Sequence, residues 1–268
     1  MNNITLGQYF PGTSPLHRMD PRAKIGLTVA LIAAIFVAQG FVAYALYLAF
    51  ILLCVKVAQV DLKMVLRGLK PIFFIVIFTF VLNVLFQRQG TPLVEIGFLK
   101  ITVEGIRRAV QMALRLMLLV MASQLLTLTT SPISLTDGLE RIMKPLEKFR
   151  FPAHELAMIM SIALRFIPTL MEETGKIMKA QKARGADFES GNILQRAKAM
   201  IPLLVPLFVS AFRRADELAM AMEARCYRGG SGRTRMRQMR FGKIDAYSLL
   251  AVVGLYALII LCNVLHLF

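Results

Sequence analysis

Five apolar runs, at residues 25–38, 41–55, 71–86, 106–127 and 246–267, leave this 268-residue chain few ways to fold. A bilayer core is crossed by about 20 apolar residues in a helix, with a range of about 17–25. Inside it every backbone polar group must be satisfied by the segment itself, which restricts spans to helices and closed barrels. The first two runs are each short for a span, yet together too long for one at about 1.5 Å per residue. A hairpin of two spans turning at Gln39-Gly40 fits best, with one long helix as the alternative. The expected fold is all-α: a polytopic membrane protein of about five transmembrane helices plus a cytoplasmic domain of long helices. Composition agrees, since 57% of the residues are hydrophobic against about 45–50% in soluble domains.

Charge orients the spans. The formal net charge is +16, and the basic residues fall between apolar runs, where the positive-inside rule places them in the cytoplasm. His17, Arg18, Arg22 and Lys24 precede the first run, and Lys56, Lys63, Arg67 and Lys70 follow the second. No zinc-finger, RNP or heptad-plus-basic pattern supports nucleic acid, so the lipid bilayer is the partner this charge implies. The first run lacks an A-x-A-like cleavage site and reads as a retained helix. Residues 87–104 read as an external loop. Arg107 and Arg108 then fall on the wrong side for the rule, and Arg115 lies about two turns deeper. A packing role is expected for Arg115, because arginines within spans face protein or water or snorkel to the interface. Five spans put the N-terminus inside and the C-terminus outside. Three segments follow: 1–130, an N-terminal cytoplasmic part and transmembrane helices; 131–243, a cytoplasmic domain; and 244–268, a final transmembrane helix. The middle segment is marked by recurring charge, with 20 basic and 11 acidic residues from Pro132 to Lys243. Arg233, Arg235, Arg237, Arg240 and Lys243 form a juxtamembrane basic stretch attracted to anionic lipid.

Within the middle segment, apolar residues at i, i+3, i+4 and i+7 predict a short helix over 135–149 and two long helical passages. The first starts with Pro152, suited to a first helical position, and ends in Ala183-Arg184-Gly185. The second runs from about Asn192 to Ala224-Arg225-Cys226. Pro168, Pro202 and Pro206 predict bends, since proline lacks an N–H and clashes with the preceding turn; they are the hinge candidates. An arginine beside small residues can insert a permanently charged five-donor fork into a groove. It can equally serve only to oppose the helix dipole, worth about 0.3–1 kcal/mol. Met158, Met160, Met171 and Met178 offer a flexible apolar surface able to accept several partners, or plain core filling. Cys54, Cys226 and Cys262, like His17, His154 and His266, have no metal or redox spacing. No metal site is expected, nor any catalytic residue, because no carboxylate pair or Ser/His arrangement occurs.

The chain resembles the transmembrane (T) components of energy-coupling factor (ECF) transporters, a type of ABC transporter. The resemblance rests on residues 7–12 (Gly-Gln-Tyr-Phe-Pro-Gly), residues 14–22 (Ser-Pro-Leu-His-Arg-Met-Asp-Pro-Arg), Ala163-Leu164-Arg165-Phe166-Ile167-Pro168, and the two triplets. It implies a non-catalytic scaffold of an ATP-driven vitamin or micronutrient importer in the cell membrane. Two ABC-type ATPases, identical or related, would each receive one triplet: Ala183, Arg184 and Gly185, or Ala224, Arg225 and Cys226. One or several small substrate-binding S components would lie on the long coupling helices, with Met158, Met160, Met171 and Met178 as candidate contacts. ATP and Mg would be bound by the ATPases and no cofactor by this chain, in which G-x-x-x-x-G-K-[ST] does not occur. Cys226 stands where the family pattern has glycine, and the helix is expected to run on to about Gly229. A self-sufficient channel or secondary transporter, or a membrane enzyme, are the competing classes.

Overall fold

A computed structural model describes residues 9–86, 92–96, 99–188, 190–230 and 239–265. Gly7, Gln8, Arg233, Arg235, Arg237 and His266 lie outside the described residues. The helices are α1 (Pro15–Arg18), α2 (Pro21–Val37), α3 (Gly40–Ala58), α4 (Leu62–Leu69), α5 (Phe73–Phe86), α6 (Val103–Thr129), α7 (Pro132–Met143), α8 (Ala153–Ala183), α9 (Ile193–Ala199), α10 (Ile201–Ala224) and α11 (Lys243–Val264). Two compact units result, Met1–Arg141 with Gln238–Phe268, and Ile142–Arg237.

In the first unit α2, α3, α6 and α11 surround one core. Leu31, Ile35, Tyr47, Ile51, Leu118, Met121, Leu255 and Ile259 are buried there. Alanines 34, 38, 43, 58 and 122 are almost completely buried as well; small residues let helices approach closely where lipid gives no hydrophobic drive to associate. Tyr47 is fully buried, and its hydroxyl donates to the Leu31 carbonyl at 3.1 Å, so its polar end is satisfied inside the core. The opposite faces are apolar and exposed, as at Phe73, Phe74 and Phe78 of α5 and Leu249, Leu250 and Val253 of α11. That pattern suits a lipid surround.

Hydrogen bonds tie both ends of this bundle. At one end Asn263 donates to the Val37 carbonyl (2.9 Å) and accepts from the Gln39 N–H (3.2 Å), joining α11 to the turn between α2 and α3. That turn falls at Gln39 and Gly40, with Gly40 at φ +84°, where the sequence predicts a hairpin. At the other end Asp20 caps α2 by accepting from the Arg22 N–H (2.9 Å) and pairs with the Arg22 guanidinium at 2.7 Å. Asp245 of α11 accepts from the Asp20 N–H (2.9 Å) and the Gly242 N–H (2.7 Å). Lys24 donates to the carbonyls of Thr129 (2.8 Å) and His17 (3.2 Å). The chain before α2 is thereby fixed to α6 and α11. Burial raises the Asp20 carboxyl, but the hydrogen bonds and charge of Arg22 outweigh it and hold the group below the usual carboxylate range.

Two stretches between the apolar runs are ordered. Residues 62–72 form α4 and a 3-10 turn (Lys70–Ile72) that lead straight into α5. The reason is amphipathic packing: Val65 and Gly68 are buried while Lys63, Arg67 and Lys70 face out. Gly68 admits the Gln124 side chain of α6 into the space a Cβ would take. Pro92–Ile96 pairs antiparallel with Leu99–Thr102, and these are the only strands among the described residues.

Among the described residues, six helical stretches are long and apolar enough to cross a membrane. Four belong to the first unit, where α2 adds a 17-residue helix. The chain is an all-α, multi-pass membrane protein. The other two, Ala153–Ala183 and Leu194–Ala224, belong to the stretch whose recurring charges the sequence reading places outside the bilayer.

Candidate functional site

The second unit is built on two long helices. α8 has 31 residues, about 46 Å at about 1.5 Å per residue, and stays helical through Pro168. The second passage is broken at Met200, between α9 and α10. Pro202 therefore sits in the first turn of α10, where its missing N–H costs no helical bond, and it is not an interior bend. Pro206 does lie inside α10. Pro152 is the N-cap of α8, one position before the helix starts.

α8 and α10 run antiparallel. Gln181 near the end of α8 donates to the Pro202 carbonyl at the start of α10 (3.5 Å), and Glu173 pairs with Arg214 at 3.0 Å. The start of α8 meets the end of α10 at a cleft of about 650 Å³, lined by Met158, Ile162 and Arg165 on one side and Met222, Arg225 and Arg228 on the other. The two triplets thus occupy opposite ends of the pair. Arg225 shares a cleft with Arg165, and Arg184 lies about 28 Å farther along α8 at about 1.5 Å per residue.

Both triplets close their helices with the same backbone geometry. In α8 the Gly185 N–H bonds to the Lys182 carbonyl (3.0 Å) and the Ala186 N–H to Gln181 (3.0 Å). In α10 the Cys226 N–H bonds to Glu223 (2.8 Å) and the Tyr227 N–H to Met222 (3.0 Å). These are the paired 5→2 and 6→1 bonds of a Schellman termination, which needs a left-handed residue just past the helix. Gly185 takes φ +87° and Cys226 φ +54°. The expected extension of α10 to Gly229 is therefore wrong: the helix ends at Ala224, because Cys226 itself adopts the left-handed conformation. The carbonyls satisfied by the motif outweigh its backbone cost. All six triplet residues are exposed, each arginine at the cap position.

Of the methionines singled out in the sequence, Met160 and Met171 are exposed; Met158 and Met178 are half-buried, and Met158 lines the cleft towards α10. The sequence reading missed the larger surface. Ile201, Leu204, Val205, Phe208, Val209 and Phe212 all stand exposed along α10, from 46% at Leu204 to 68% at Phe212. Their i, i+3, i+4 and i+7 spacing was present in the sequence. It resembles a core-facing stripe, and only the structure leaves it uncovered.

Exposed apolar helix faces of this extent suit lipid or another protein, so a multi-pass membrane protein with an exposed antiparallel helix pair is the class defined here. Comparison with known proteins gives the particular family. Residues 12–236 match the family model CbiQ, described as cobalt transport protein. Over 257 residues the chain is 56% identical to the "Energy-coupling factor transporter transmembrane protein EcfT" of Thermosediminibacter oceani, covering 96% of each chain. Proteins of the same description from Ruminiclostridium cellulolyticum (55% identical, 91% of each chain) and Bacillus subtilis (48%, 97% of this chain and 98% of the relative) are similar. The chain belongs to the CbiQ family and is the T component of an energy-coupling factor transporter, a transporter subunit that acts in a complex with others.

Proposed function

We propose that this chain is the mechanical coupler of an ATP-driven importer for a vitamin or similar micronutrient. Arg184 and Arg225 dock one in each of two ABC-type ATPases, which bind ATP and Mg. The exposed stripe of α10, with Met160 and Met171 of α8, receives a small membrane S component that holds the substrate. Closure of the ATPases moves the two arginine ends, and α8 and α10 carry that motion to the S component. The N-terminus and the second unit lie in the cytoplasm, beside the ATPases.

The observation that carries this reading is the matched pair of terminations. Two exposed arginines sit at equivalent cap positions at opposite ends of the helix pair, Arg225 beside Arg165 and Arg184 about 28 Å farther along α8 than Arg165 by helical rise, too far to enter one groove and well placed for two. A dipole-opposing role needs no such repetition. The test is Arg184→Glu and Arg225→Glu, made singly in the assembled transporter. Each is expected to abolish substrate uptake while ATPase activity persists, and both together to release the ATPases in a pull-down. Wild-type uptake by either variant would remove that arginine from the docking role. Uptake by this chain alone in liposomes, without ATPases, would instead favour a self-sufficient channel.

A further inference from the structure

A second polar site lies in the first unit, at the end of the bundle where Asn263 meets the turn between α2 and α3. A crevice of about 530 Å³ opens there, lined by Arg107, Arg108, Gln111 and Arg115 of α6, with Tyr44 of α3 and Glu104. Arg107, Gln111 and Arg115 are spaced i, i+4 and i+8, so they share one face and span about 12 Å. Three arginines against one acid leave a local excess of +2 at a membrane boundary. The charge distribution of the rest of the chain does not explain it, because this is the end where basic residues are disfavoured.

Two of the three arginines are held in place. Arg115 donates to the buried Tyr44 hydroxyl at 3.0 Å and lies 5.8 Å from the Phe36 ring centre; Arg107 lies 5.9 Å from that of Phe41. The Nε of Arg115 is buried and has no hydrogen-bond partner. The N-terminus of α3 also opens on the crevice at Gly40. Its N-cap, Gln39, makes no side-chain cap bond, so the first-turn N–H groups and the positive end of the helix dipole face the same space. Guanidinium forks and uncapped N–H groups together are the recognition chemistry of a phosphate.

We propose that this crevice binds the phosphate of an anionic phospholipid headgroup, in the leaflet opposite the Asp20–Asp245 end. The flanking rings of Phe36 and Phe41, both exposed, suit the adjoining acyl region, and a bilayer presents phosphates at this depth. A free phosphate would offer the same oxygens without the tails.

The test is amide hydrogen exchange over residues 38–44 of the full chain, with the subunits that accompany it, in nanodiscs. One set contains phosphatidylcholine alone and the other adds phosphatidylglycerol. Phosphatidylglycerol is expected to slow exchange at Gly40, Phe41 and Val42. Arg108→Gln should weaken its effect about fivefold, at about 1 kcal/mol per surface charge; Arg108→Lys, which keeps the charge, should retain more of it. Lys148→Gln in the second unit should change nothing at these amides. Equal exchange in the two lipids, or an undiminished effect in Arg108→Gln, would overturn the proposal. Inorganic phosphate giving the same protection in phosphatidylcholine would overturn the lipid assignment and leave a free-anion site.

Discussion

The two helix ends can be told apart by a reciprocal exchange of residues. Gly185 and Cys226 occupy the same position in the same termination, at φ +87° and +54°. A left-handed conformation costs a non-glycine residue about 1–2 kcal/mol, and glycine gives back about 0.4–1 kcal/mol through the freedom of the unfolded chain. Cys226→Gly is therefore expected to stabilise the end of α10 by about 0.5–1 kcal/mol. Gly185→Ala should destabilise the end of α8 by at least as much. A Cβ at Gly185 would meet nothing within 4 Å, so the loss is purely conformational. The assay is amide exchange at Tyr227 and Ala186, whose N–H groups make the 6→1 bonds, in the solubilised complex. A change of about 1 kcal/mol is about fivefold in the local opening constant. Tyr227 should exchange more slowly in Cys226→Gly, and Ala186 faster in Gly185→Ala. Faster exchange at Tyr227 in Cys226→Gly would mean that the cysteine side chain itself holds the motif, and the conformational argument would fail.

Three further outcomes are expected. Gly68→Ala forces the amide end of the Gln124 side chain to move away from α4; because that end is flexible the cost should be only about 0.5–1.5 kcal/mol, that of a side chain displaced from its rotamer, and the Gly68→Ala/Gln124→Ala double variant should recover most of it in thermal unfolding. Asp20→Ala removes the cap of α2 and should cost about 0.5–2 kcal/mol. Because the Asp20 carboxyl lies below its usual range in the folded chain, its contribution is present above about pH 4 and disappears as pH falls further; Asp20→Asn should lack that acid-dependent component. On the proposed function, Phe208→Ser with Phe212→Ser is expected to release the proposed S component from a pull-down while the proposed ATPases stay bound; loss of both together would mean the stripe does not separate the two.

The apolar runs made the membrane helices legible, since a length of about 20 residues and the absence of charge carry that signal alone. The turn at Gln39-Gly40 was legible for the same reason: the two flanking runs together are too long for one span. Where the reading erred, tertiary contacts overrode local pattern. Lys63, Arg67 and Lys70 look like a basic loop, but α6 provides a surface for Val65 and Gly68, and the segment becomes α4. At Cys226 a preference for glycine gave way to four satisfied backbone groups. The arginine triplets were visible in the sequence, yet not their separation, because an antiparallel α8 and α10 follows from contacts such as Gln181 to Pro202 that no spacing encodes. In the sequence Arg107 and Arg108 appear only as a violation of the charge rule and Arg115 as a packing residue; it takes Tyr44 and the turn from α2 to α3 beside them to suggest the proposed site.

A hinge within α8 is a further part of the proposed coupling, beside the transmission of force along the helix. Pro168 lies near the middle of the helix, about 24 Å from Arg184 by helical rise, and it cannot donate to the carbonyl of Leu164. The helix stays continuous around it, so the cost is already met by the surrounding structure, and a shift in bend at this point breaks no further backbone bond there. Pro206 occupies a similar interior place in α10. Proline to alanine at these positions restores one donor per helix, worth up to about 3 kcal/mol of helical stability, and stiffens the lever. On the proposed mechanism Pro168→Ala should leave assembly with partners intact and lower substrate taken up per ATP hydrolysed, with Pro168→Ala/Pro206→Ala lower still. A Pro202→Ala control should be silent, since that residue sits in a first turn. Unchanged uptake per ATP in the double variant would show that motion passes through α8 and α10 as rigid bodies, and the hinge role of both prolines would be withdrawn.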